Sequence, residues 1–90
     1  MASPDVLARR PELLAMLRHE ERDVWPRLCQ TMAMGEIEDF ARRLLRVAEE
    51  GEWRVLREYA KTLNRQVEEF DLDNLPKTLE NYSTAINSLE

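Results

Sequence analysis

Cysteine occurs once in 90 residues, as Cys29, so no disulfide can close within the chain. Its neighbours Trp25, Leu28 and Met32 suit a small buried hydrophobe, and a cytoplasmic setting is the expectation. No stretch approaches the ~18 uninterrupted apolar residues of a membrane span. The N-terminus also lacks the basic-then-apolar order of a signal peptide, so neither a membrane nor export is indicated. Glycine (two) and proline (four) are too scarce for a turn-rich β-sandwich or a flexible tail. Positive charge is short as well: 13 Lys and Arg stand against 18 Asp and Glu, a net charge of -5 that repels phosphate backbones and argues against nucleic acid. Histidine appears once, as His19, which excludes paired-histidine metal ligation and the Glu-x-x-His pairs of a di-metal bundle. A Gly-rich phosphate loop and a Gly-x-Ser-x-Gly elbow are missing, and Ser3, Ser83 and Ser88 have no histidine partner within a motif. These absences lead to an expectation of no catalytic residue, no metal and no cofactor.

Helical periodicity is what the chain has in abundance. Ile37, Phe40, Ala41, Leu44, Leu45 and Ala48 recur at helical spacing, as do Leu56, Tyr59, Ala60, Leu63, Val67 and Phe70. Only Glu49-Glu50-Gly51-Glu52 joins the two sets, which predicts an antiparallel hairpin with Gly51 as a left-handed C-cap. The first of these helices is expected to begin near Gly35 as N-cap, with Glu38 closing a capping box. The second runs from about Trp53 to Phe70. Upstream, Leu13, Leu14, Leu17, Val24, Trp25, Leu28 and Met32 share one side of a helix, interrupted by Glu20 and Glu21 and weakened by Pro26. That pattern predicts a kink or break between about Arg18 and Pro26. Downstream, Asp71-Leu72-Asp73-Asn74 reads as a turn and cap, followed by a fourth helix carrying Leu75, Leu79, Tyr82, Ile86 and Leu89. The sum is an all-α chain, an up-down antiparallel bundle of four helices with the first kinked or broken near Pro26. Residues 1–10 are expected to be loosely ordered and 11–90 to form the bundle, with Phe40, Leu44, Leu56, Leu63, Phe70 and Leu79 in its core. A chain this short buries roughly 60 to 65% of its unfolded surface, enough for one core and no large enclosed site.

Each polar cluster has a plain reading beside a functional one. His19 sits in Arg18-His19-Glu20-Glu21-Arg22-Asp23. A phosphotransfer bundle places Lys and a small residue after its histidine, whereas two carboxylates here would repel a phosphoryl group, so an exposed surface histidine is the reading preferred. Glu36, Glu38 and Asp39 complement the positive end of a helix dipole, and Glu38 with Arg42 and Asp39 with Arg43 have the spacing of surface ion pairs. The candidate partner-binding residues are Arg54, Arg57, Lys61 and Arg65, four cations along one helix face suited to an acidic protein surface. The fourth helix shows the opposite habit, since its outward Asn81, Ser83, Thr84, Asn87 and Ser88 carry no charge and suit packing against another domain or a second copy.

Trp25, the run Glu36-Ile37-Glu38-Asp39-Phe40-Ala41, the run Leu56-Arg57-Glu58-Tyr59-Ala60 with Leu63, then Phe70-Asp71-Leu72 and the closing Leu75-Leu79-Ile86 resemble, in order and spacing, a known module. It is the helical segment found after the receiver domain at the C-terminal end of bacterial hybrid sensor histidine kinases, and the likeness covers about Leu13 to Leu89. The resemblance implies a cytoplasmic, non-catalytic segment of a two-component signalling protein that docks on a receiver or kinase domain or on a second copy. Gly35 departs from the Asn or Asp that family members carry at that helix start. A tetratricopeptide-like scaffold is the other helical reading; the usual small-residue pattern and terminal proline are missing, and about three repeats would be needed. Leu89-Glu90 and Met1-Ala2 read as cloning junctions, an expectation that the chain is a fragment of a longer protein.

Overall fold

Proline stands in the first turn of three of the chain's helices. The structure, a computed structural model, describes residues 4–89, and the regular elements among them are helices. They are α1 (Pro4–Asp23), α2 (Trp25–Thr31), α3 (Met34–Gly51), α4 (Arg54–Glu68), α5 (Leu75–Glu80) and α6 (Tyr82–Asn87). The chain is all-α, as its composition implies. α3 and α4 form the expected central hairpin; α1 packs on α3 and α6, α4 on α5 and α6, and α2 on α5.

α1 begins at Pro4, where a missing N–H costs nothing, and Asp5 stands in its first turn. Residues 4–10, read from sequence as loosely ordered, are therefore helical, while Met1, Ala2, Ser3 and Glu90 lie outside the described residues. Arg10 explains part of the difference. Its Nε donates to the carbonyl of Gly51 at 2.9 Å and its guanidinium lies 5.5 Å from the centre of the Trp53 ring, tying this stretch to the α3–α4 turn. The predicted break falls at Val24, which separates α1 from α2. Pro26 sits in the first turn of α2, offers no amide to the carbonyl of Arg22, and disfavours helical geometry at Trp25.

Three of the expected caps are built differently. α3 starts at Met34 behind Ala33, an extended residue without a side-chain cap, because left-handed Met32 (φ 50°) turns the chain in a two-residue connection. Gly35 is therefore inside the helix, and Glu38 pairs with Arg42 instead of closing a capping box. At the other end the left-handed residue is Glu52 (φ 53°), not Gly51. The amide of Trp53 donates to the carbonyl of Ala48 at 2.9 Å, the ring closure of a Schellman turn. Gly51 is needed for space: a Cβ there would stand 2.6 Å from Cε3 of Trp53. Finally, the predicted fourth helix is interrupted at Asn81, giving α5 and α6. In an unbroken helix the carbonyls of Thr78 and Leu79 would take the amides of Tyr82 and Ser83. Here the hydroxyl of Tyr59 donates to Thr78 and the indole Nε1 of Trp25 to Leu79, each at 2.7 Å.

The core lies between the inner faces of α3 and α4 and the helices that cover them. Phe40, Leu44, Leu56, Leu63 and Leu79 are buried there as expected, beside Leu17, Leu28, Leu75 and Ile86. Each such side chain contributes roughly 1.5–3 kcal/mol by leaving water. Tyr82 is the hub: its ring meets Phe40 edge-on with centroids 5.0 Å apart, and its hydroxyl donates to the carbonyl of Leu17 at 2.7 Å. Burial, then the charges of Glu20 and Glu21, hold its phenol well above the usual tyrosine range. Phe70 does not join this core. α4 ends at Glu68, Phe70 takes the left-handed conformation (φ 53°), and its side chain is 71% exposed.

Candidate functional site

α4 separates its residues cleanly by side. Leu56, Ala60, Leu63 and Val67 face inward and are buried, so Arg54, Arg57, Lys61 and Arg65, all exposed, share the outward side. The four cations predicted as a partner site are thus brought onto one rigid helix. Arg65 makes a loose pair with Glu69 at 3.7 Å, while among the described residues Arg54, Arg57 and Lys61 enter no ion pair. The column is not purely basic, because exposed Glu58 lies within it and Glu68 and Glu69 end it. A cleft of about 390 Å³ opens at the N-terminal end, bordered by Arg54 and Arg57 on one side and Glu49 and Glu52 on the other. Two carboxylates on the rim offset the cations, so the chemistry favoured is a patterned protein surface rather than a small anion.

The acidic residues that interrupt the α1 stripe turn out to join helices. Glu20 receives a two-pronged contact from Arg43 of α3, Nε to Oε1 at 2.9 Å and Nη2 to Oε2 at 3.2 Å. Arg43 is therefore drawn across to α1 and away from Asp39, its predicted partner. Glu21 accepts from Arg18 at 3.3 Å and from the hydroxyl of Ser83 in α6. Ser83, read as outward, is half-buried by that contact, whereas Asn81, Thr84, Asn87 and Ser88 are exposed.

His19 is exposed, with Nδ1 at 2.9 Å from Asp23 and with Glu20 beside it in sequence, so the structure adds a third carboxylate to the two already present there. Cys29 is half-buried on α2, and burial, then the charge of Glu80, raise its thiol above the ordinary cysteine value. Such a thiol is a weak nucleophile. Among the described residues no group of three His, Cys, Asp or Glu is placed to hold a metal ion. Likewise, among the described residues no helix is long and apolar enough to cross a membrane.

Periodicity puts Phe70 in the core and passes over Leu72, yet the two are 71% and 62% exposed and form an apolar projection where α4 turns into α5. Asp71 between them holds the turn, its Oδ2 accepting from Asn74 Nδ2 at 2.9 Å and its Oδ1 from the Asn74 amide at 3.3 Å. Those bonds lower its carboxyl below the usual range. The available sequence signal was Asp71-Leu72-Asp73-Asn74 itself: a helix that stops before it cannot carry the core stripe on to Phe70. Comparison with family models, curated proteins and solved structures gives no match for this chain.

Proposed function

We propose that this chain is a non-catalytic protein-interaction module of a bacterial two-component signalling protein. It works in the cytoplasm, docking on an acidic surface of a receiver or kinase domain through the outer face of α4. Two things support the reading. The first is the resemblance in order and spacing of Trp25, Phe40, Ala41, Leu56, Tyr59, Ala60 and Leu63 to the helical segment of hybrid sensor kinases. The second, which carries it, is the alignment of exposed Arg54, Arg57 and Lys61 on one side of a helix whose other side is packed in the core. Cations on a helix that is already folded meet a carboxylate-rich partner without ordering of the backbone, and they accelerate its encounter.

The test is titration calorimetry of the chain against the receiver domain of its parent protein. Reversing Arg57 and Lys61 together to Glu should weaken binding at least about tenfold, with the helical circular dichroism unchanged. Equal affinity for both proteins would remove α4 as the docking face.

A further inference from the structure

The outer column of α4 repeats one charge motif. Arg54 is followed four residues on by Glu58, and Arg65 four residues on by Glu69. Eleven residues separate the two arginines, about three helical turns, so both Arg-x-x-x-Glu pairs lie on the same side. The two pairs are complementary to their own reverse, with Lys61 of each copy beside the axis. Laid antiparallel against a second copy about an axis at Lys61–Thr62, one register sets Arg54 against Glu69 and Glu58 against Arg65, and symmetry repeats both pairs. A parallel pairing would put each arginine against its like.

The exposed apolar side chains fall at the ends of the same register. Phe70 and Leu72 project just past the C-terminus of α4, and Val55, 56% exposed, lies in its first turn. Antiparallel alignment brings the Phe70 end of each copy beside the Val55 end of the other. In that register Glu69 and its neighbour Glu68 meet the Arg54 end of that copy, while Asp71 and Asp73 fall opposite Glu52 and Glu50 and add no attraction. Arg65 and Glu69 can exchange partners, because their own pair is loose at 3.7 Å and their side chains are 67% and 62% exposed.

We infer that α4 mediates an antiparallel two-fold homodimer of this chain, closed by reciprocal Arg54–Glu69 and Glu58–Arg65 pairs and capped at both ends by Phe70. The inference rests on α4 being the contact face and names a second copy as an occupant of it. The two-fold axis makes the contact self-limiting, with no chain growth. A single helix face of about 22 Å, from the 1.5 Å rise per residue, is small beside standard interfaces. The dimer is correspondingly weak, dissociating at roughly 10 μM to 1 mM, and is weakened further by salt.

Sedimentation equilibrium across that same concentration range tests it. Wild-type chain should dimerise, and Arg54→Glu and Glu69→Arg should each weaken dimerisation at least about tenfold. The double variant should regain it, because exchanging the two charges restores an acid facing a base at both ends of the register. Phe70→Ser should weaken dimerisation without altering helical circular dichroism. A wild-type chain that stays monomeric at the top of the range overturns the inference, as does a dimer unaffected by either single reversal or a double variant that fails to regain association. Receiver binding lost on reversing Arg57 and Lys61 while the chain remains monomeric would overturn the dimer alone and leave the proposed function standing.

Discussion

Two turns of this molecule share a backbone and differ in what they do with an aromatic ring. α3 and α4 both end in a left-handed residue that is not glycine, Glu52 and Phe70, each with φ 53°. In both, the next amide reaches back to the last turn at 2.9 Å, Trp53 to Ala48 and Asp71 to Gln66. Yet Trp53 is 7% exposed, seated against Gly51 and near Arg10, whereas Phe70 is 71% exposed. At the first turn the aromatic follows the left-handed residue and falls inward; at the second it is the left-handed residue and swings out. One position in the cap therefore decides whether a ring seals the hairpin or stands exposed at the surface.

The first turn is tightest at Gly51, and a substitution there should have the larger effect. Gly51→Ala should destabilise by about 1–3 kcal/mol, because the new Cβ meets the Trp53 ring and its neighbours are packed. Urea unfolding checks this, and a neutral result would mean that the ring can move aside. A smaller effect probes the likeness of the two backbones. Glycine removes a left-handed penalty of about 1–2 kcal/mol but adds roughly 0.5–1 kcal/mol of unfolded-chain entropy. Glu52→Gly and Phe70→Gly should thus each raise stability by up to about 1 kcal/mol, with Tm rising in parallel. Opposite signs for the two would show that the caps are not equivalent.

How much of this was legible in the sequence depended on what kind of interaction set each residue's place. The hairpin, the break before Pro26 and the turn at Asp71 follow from local rules: helical period, a missing amide, and a carboxylate that caps its own loop. The expected core residues Phe40, Leu44, Leu56, Leu63 and Leu79 obey the same period and are buried. The errors lie where a distant contact overrides local preference. Arg43 follows Glu20 across the interface and not Asp39 on its own helix, and the fourth helix breaks at Asn81, where Trp25 and Tyr59 donate to its carbonyls. Phe70 failed for a subtler reason, since extending a stripe by one more turn presumes that the helix continues, and helix ends are set by capping geometry. The four cations of α4 were legible as a face because period alone defines it; the carboxylates that pattern it gain meaning only beside the exposed Phe70.

Of the two rings, then, Trp53 belongs to the fold and Phe70 to the surface. Urea unfolding of Trp53→Ala and Phe70→Ala, at a concentration low enough to keep the chain monomeric, puts that division to the test. Loss of the buried indole should cost about 3–5 kcal/mol, and loss of the exposed ring no more than about 0.5 kcal/mol. Equal destabilisation by the two substitutions would refute the division, because Phe70 would then be part of the core and not of the surface.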